Sequence, residues 1–130
     1  MMKRICCILL TAAAVLMLAG CGAGEKAPGS YRQISMEEAV SMMERETDYI
    51  LLDVRTQDEY AQGHIPGAIL IPDYEISEKA ESVLTDKDQL ILVYCRSGRR
   101  SKNAAAQLEE MGYTRIREFG GILDWPYETE

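Results

Sequence analysis

Leu90-Ile91-Leu92-Val93-Tyr94-Cys95-Arg96-Ser97-Gly98-Arg99-Arg100-Ser101 is the stretch that decides the fold. Its first five residues are a continuous apolar run of β-branched and aromatic character, the pattern of a strand covered on both faces. A polar loop holding one glycine follows. The chain then takes a helical period through Met111, with Ala104, Ala105, Leu108 and Met111 forming the apolar stripe, and Gly112 closes it. A buried strand that feeds an amphipathic helix through a short loop is one unit of an α/β sheet.

The flanking sequence repeats that logic. Ser35-Met36-Glu37-Glu38 fits a capping box and opens a helix through about Glu46, with Met36, Ala39, Val40 and Met43 on one face. Tyr49-Ile50-Leu51-Leu52-Asp53-Val54 predicts a second buried strand. Thr56-Gln57-Asp58-Glu59 is a second capping box, starting a short helix that Gly63 stops. Ala68-Ile69-Leu70-Ile71 predicts a short buried strand ended by Pro72, and a weaker helical stretch spans Tyr74 to Leu84. Arg115 to Phe119 is the last strand, after which Gly120-Gly121 turns into a short tail holding Trp125. Buried strands alternating with amphipathic helices argue an α/β domain with a mostly parallel sheet.

Cys95 falls at the carboxyl end of the most apolar strand and just before a helix. Ligands bind at that edge of open α/β sheets. A helix start offers unpaired N–H groups and a positive dipole end, which favour an anion and a reactive thiolate. Arg96, Arg99 and Arg100 push the same way, and Gly98 lets successive N–H groups curl toward the sulfur. The pattern predicts a cysteine nucleophile in an anion-binding cup, aimed at a small anionic substrate.

Cys95-Arg96-Ser97-Gly98-Arg99-Arg100-Ser101 resembles the active-site loop of single-domain rhodaneses, the thiosulfate-type sulfurtransferases. Asp53-Val54-Arg55, with Glu59-Tyr60 and Gly63-His64-Ile65-Pro66-Gly67-Ala68, is similar to the amino-terminal signature of that family, and Gly120-Gly121 with Trp125 to its carboxy-terminal end. The resemblance implies a rhodanese-like three-layer α/β domain over residues 31–130, built on a central, mostly parallel five-stranded sheet. It implies that Cys95 takes a sulfane sulfur and holds it as a persulfide. Backbone N–H groups from Arg96 through Ser97, Gly98, Arg99 and Arg100 to Ser101 would cradle that sulfur, with Arg96 and Arg100 meeting thiosulfate or sulfite. Asp53, Arg55, His64 and Pro66 would support the fold around the site. The implied partners are a thiosulfate-like donor and a thiol or cyanide acceptor, and no cofactor is implied.

Two other classes compete. Dual-specificity phosphatases share the fold but need an arginine after five residues, and that position is Ser101, with Tyr94 rather than histidine before the cysteine. A non-catalytic sulfur-carrier or binding module is the alternative in which the loop is intact but turns nothing over. His64, the only histidine, invites a Cys–His pair, although its Gly-His-Ile-Pro-Gly setting reads as a structural turn. One cysteine and one histidine cannot fill a metal site.

The chain has 130 residues, 47% apolar and 27% charged, which suits one globular domain. Its amino terminus differs from the rest. Lys3-Arg4 precedes an apolar run from Ile5 to Ala19, shorter than the roughly 20 residues a membrane span needs. Leu18-Ala19-Gly20-Cys21 resembles a bacterial lipobox. Residues 1–20 are therefore expected to be a lipoprotein signal peptide, Cys21 the lipidated first residue of the mature chain, and residues 21–30 a flexible tether. Double or triple acylation at Cys21 would anchor the protein stably at the extracytoplasmic face of a bacterial membrane. Removing the signal takes away Lys3 and Arg4 and no acid, leaving the chain more negative than its formal −7. That charge argues against nucleic acid as a partner. With Cys6 and Cys7 gone and Cys21 acylated, Cys95 is the one free thiol, and the sulfur acceptor must be external. A monomer is expected.

Overall fold

The computed structural model describes residues 31–130; the expected signal peptide, Cys21 and the tether lie outside the described residues. Five strands alternate with four α-helices: β1 (Arg32–Gln33), α1 (Met36–Arg45), β2 (Tyr49–Asp53), α2 (Gln57–Gln62), β3 (Ile69–Leu70), α3 (Ile76–Val83), β4 (Leu90–Cys95), α4 (Arg99–Glu110) and β5 (Arg115–Gly121). Single 3₁₀ turns at Asp73–Glu75 and Ile122–Asp124 complete the order. The strands form one sheet, β1-β5-β4-β2-β3, and every pairing is parallel.

β4 is central and every residue in it is buried. Its alternation splits the core. Ile91, Val93 and Cys95 face α3 and α4, packing on Ile76, Ala80, Ala104, Ala105 and Leu108. Leu90, Leu92 and Tyr94 face the other layer, with Ala39 and Met36 of α1 and Tyr60 of α2. The result is three layers, helices on both faces of a parallel sheet.

Both capping boxes form. Ser35 accepts from the Glu38 N–H and Thr56 from the Glu59 N–H, while each glutamate reaches back to the cap amide. Three local expectations change, the first being that β5 runs through Gly120 and Gly121 instead of turning there. β1 is a strand where the sequence offers only Arg32 and Gln33, both exposed; it is held by pairing with Arg117 and Glu118 of β5. β3 covers only Ile69 and Leu70 and lies at the sheet edge, so Ile69 stands 36% exposed rather than buried. An edge strand has one neighbour and one open side, which permits that exposure.

The register between β4 and β5 positions the site. Val93 pairs with Glu118, but Cys95 pairs with Gly121, so β5 carries one extra residue across the step. The irregularity brings Gly121 under the loop that leaves β4.

Candidate active site

Cys95 ends β4 with its side chain turned to the α4 layer, 1% exposed. The loop Arg96-Ser97-Gly98 then reverses into α4. Gly98 takes φ 112°, a left-handed conformation costly for any residue with a Cβ. That twist aims the Gly98 N–H back at the sulfur, where it donates to Sγ at 2.9 Å. Beneath the loop, a Cβ on Gly121 would collide with the Arg96 carbonyl and the Ser97 amide. Only glycine lets the strand pass so close under the loop. The Leu123 N–H donates to the Arg96 carbonyl at 3.3 Å, fastening the loop to the turn after β5.

The predicted site residues separate into roles. Arg96, Ser97 and Arg99 are exposed. Arg96 lines an open cleft of about 250 Å³ together with Arg55, Glu59, Gly63, Ile122 and Leu123. Arg100 is not part of that lining. It makes a two-pronged ion pair with Glu59, Nη1–Oε1 2.6 Å and Nη2–Oε2 2.9 Å. That hydrogen bond to Arg100 holds the Glu59 carboxyl at about 2, against an ordinary 4.5. The same bond raises the Arg100 guanidinium further above its ordinary value. Arg100 thus ties α4 to α2 along one rim of the site.

Ser101 is fully buried below the cysteine. The Cys95 thiol donates to its Oγ at 3.4 Å, and that hydroxyl donates in turn to Glu118 Oε1 at 2.6 Å. Glu118 is 2% exposed and also accepts from the Gly120 N–H at 2.8 Å. Sequence reasoning missed Glu118. The available signal was its strand period: Ile116 and Glu118 are two apart and share the face turned to α4.

Asp53 and Arg55 form a buried pair, with Nη2–Oδ2 at 2.7 Å. Arg55 extends to the Gly63 carbonyl at 2.7 Å and its guanidinium lies 5.8 Å from the Tyr94 ring centroid. Burial pulls the Arg55 guanidinium down, but the bond to Asp53 and its charge outweigh that and leave it raised. Burial first, and then a hydrogen bond to Asp53, push the Tyr94 phenol above its usual range. Tyr94 also accepts the Ile65 N–H at 3.1 Å. These contacts fix β2, β4 and the turn after α2 behind the loop.

His64 forms no pair with Cys95. Its ring stacks on Tyr60 at 3.8 Å, Nδ1 lies 3.0 Å from the Tyr60 carbonyl, and Nε2 lies 3.6 Å from Glu130. A phosphatase-type loop fails on geometry as well as count. Where such an enzyme needs an arginine, Ser101 is buried on a carboxylate.

A thiol at the head of a buried strand, held by a loop amide beside an arginine-lined cleft, defines a cysteine-centred transferase site on an α/β sheet. The rhodanese-like domain family matches residues 35–127, and the chain belongs to it. It is 42% identical over 73 residues to the thiosulfate sulfurtransferase PspE of Escherichia coli, covering 56% of this chain and 70% of that protein. It is 36% identical over 99 residues to the putative sulfurtransferase YtwF of Bacillus subtilis, covering 76% of this chain and 94% of that one. A solved structure of an E. coli rhodanese with anions superposes with TM-score 0.59 at 38% identity, over 63% of this chain and 96% of that one.

Proposed function

We propose that this rhodanese-like sulfurtransferase moves a sulfane sulfur from thiosulfate, or a donor of the same chemistry, through a Cys95 persulfide to an external thiol or to cyanide. The Gly98 N–H held 2.9 Å from Cys95 Sγ carries the reading. A donor aimed at the sulfur from the head of a helix stabilises negative charge there, both on the attacking thiolate and on the persulfide that follows. The thiolate attacks the outer sulfur of the donor, a new S–S bond forms, and sulfite leaves with the electrons of the old one. Arg96, exposed at the cleft, attracts the dianion and holds the departing sulfite. The acceptor then attacks the outer persulfide sulfur and returns Cys95 to its thiolate.

Anchoring belongs to the same proposal. Leu18-Ala19-Gly20-Cys21 supports lipidation at Cys21 and work at the extracytoplasmic face of a bacterial membrane. Labelled fatty acid should enter the wild type and not Cys21→Ala.

Purified domain incubated with thiosulfate should gain the mass of one sulfur, lose it on adding cyanide, and release thiocyanate over many cycles. Cys95→Ser should do none of this. A single loading without repeated turnover would make the domain a sulfur carrier, and hydrolysis of aryl phosphates in place of sulfur transfer would end the proposal.

A further inference from the structure

Glu118 is a charge in a place that needs explaining. Buried carboxylates are ordinarily paired with a cation, because removing an anion from water is costly even after relaxation. Among the described residues no cation pairs with Glu118. It accepts from two neutral donors, the Ser101 hydroxyl at 2.6 Å and the Gly120 amide at 2.8 Å. It also lies directly under the loop, since a Cβ on Gly98 would come within 3.9 Å of its Oε1. A fixed negative charge beneath a cup that must hold a thiolate, and then meet a dianion, opposes the chemistry above it.

The opposition vanishes if the two sites share one negative charge. We infer that Glu118, acting through Ser101, receives the proton that Cys95 gives up when it becomes a nucleophile. The path is continuous: Cys95 Sγ–H donates to Ser101 Oγ at 3.4 Å, and Ser101 Oγ–H donates to Glu118 Oε1 at 2.6 Å. The S–H bond of Cys95 breaks as a new O–H bond forms on Ser101, while the original Ser101 proton passes to Glu118 Oε1. Thiol and carboxylate become thiolate and carboxylic acid. Ser101 ends as it began and the net charge of the site is unchanged. The thiolate, now above a neutral acid, keeps the Gly98 N–H and no longer faces an anion. When the acceptor takes the sulfur and Cys95 is reprotonated, the same path runs backward.

Other charges surround this path without entering it. Arg100 feels the Cys95 charge but is committed to Glu59, and Asp73 lies in its range. Arg96 on the loop and Arg99 and Lys102 on α4 are exposed, as are Arg32 on β1 and Glu37 and Glu38 at the start of α1. Arg117, beside Glu118 in β5, bonds the Ile116 carbonyl instead. His64 is engaged with Tyr60. The carboxylate that hydrogen bonds connect to Cys95 is therefore the one reached through Ser101.

The inference rests on the sulfurtransferase reading for its substrate but not for its test. Glu118→Gln keeps an acceptor for both Ser101 and Gly120 yet cannot take a proton, so a merely structural role would survive it. Persulfide formation from thiosulfate, followed by mass against pH, should fall by roughly 100-fold near pH 7, the lower end of general-base effects. The loss should shrink as pH rises and hydroxide removes the proton instead. Ser101→Ala should give the same profile, Ser101→Thr should restore much of the rate, and the double variant should lose no more than either single one. Iodoacetamide alkylation of Cys95 should show the same dependence with no sulfur donor present. If wild type takes no sulfur from thiosulfate but its alkylation still depends on Glu118, the transfer reading fails and this one stands. Glu118→Gln profiles that overlay the wild type in both assays would overturn it. Should Glu118→Gln not fold, an unchanged profile in Ser101→Ala overturns it equally.

Discussion

Arg100 and Glu59 hold each other through two parallel hydrogen bonds at 2.6 and 2.9 Å, and so one of the two arginines that resemblance assigns to the substrate joins α4 to α2. The pair sets the rim of the site, and it makes a pH-dependent contribution to stability. Glu59 titrates at about 2 in the folded protein against 4.5 ordinarily, chiefly through its bond to Arg100. A depressed carboxyl contributes fully above its unfolded value and loses that contribution as pH falls toward its folded value.

Glu59→Gln tests the window. Glutamine can still serve the capping box with Thr56, so the loss reports the ion pair rather than the helix start. Both side chains are about a quarter exposed, 24% and 27%. Solvent screening therefore limits the expected loss to about 1 kcal/mol at neutral pH. The difference between wild type and variant should close as pH falls from 4.5 to about 2. Urea unfolding at a series of pH values checks this; a difference that persists at the acid end would mean the pair is not its source.

Asp53→Asn should cost far more. Its partner Arg55 has a side chain only 6% exposed. Removing one member of a buried pair leaves the other charge uncompensated, at about 3–5 kcal/mol. The urea midpoint at neutral pH should drop accordingly, and a change within that of an ordinary surface substitution would show the pair to be dispensable.

Gly121→Ala probes the close approach of β5 to the loop. An alanine methyl must displace the Arg96 carbonyl or the Ser97 amide, and withdrawing β5 instead would break its pairing with Cys95. Overpacking of this kind costs about 1–3 kcal/mol. The displaced loop carries the Gly98 amide away from Sγ, and a shift of about 1 Å can cost on the order of a hundredfold in rate. Thiocyanate production should fall much more than thermal stability does. Equal, small losses in both would argue that the loop relaxes freely.

Much of this was legible in residue order because the sequence carries it locally. The run Leu90–Tyr94 is buried on both faces and could be nothing but a central strand, and the two capping boxes mark α1 and α2 to within a residue. What escaped depended on partners distant in sequence. β1 is two exposed polar residues made into a strand solely by β5. Glu118 lies in the predicted last strand, and only its period with Ile116 hinted at burial; its bond to Ser101 joins positions 17 apart. The commitment of Arg100 to Glu59 spans 41 positions, and no pattern within the loop announces it.

With Arg100 engaged, Arg96 and Arg99 are left as the cations that could draw an anionic donor to the mouth, and the structure separates them. Arg96 lines the cleft beside Arg55, Ile122 and Leu123, while Arg99 is exposed on the first turn of α4 outside that lining. A guanidinium bonding a sulfonate-like group gives a charge-assisted contact of about 1.5–3 kcal/mol when dry and less at an open mouth. Arg96→Ala should therefore raise the thiosulfate KM roughly five- to twentyfold, a loss of about 1–2 kcal/mol, with a smaller effect on kcat. Arg99→Ala should move KM by no more than about twofold, as expected for an exposed charge acting through screened solvent. Raising the ionic strength should weaken thiosulfate binding to the wild type and should do so less for Arg96→Ala. Steady-state kinetics at two salt concentrations decides the matter: if Arg99→Ala gives the larger KM change, the donor enters over the helix start and the cleft serves the acceptor alone.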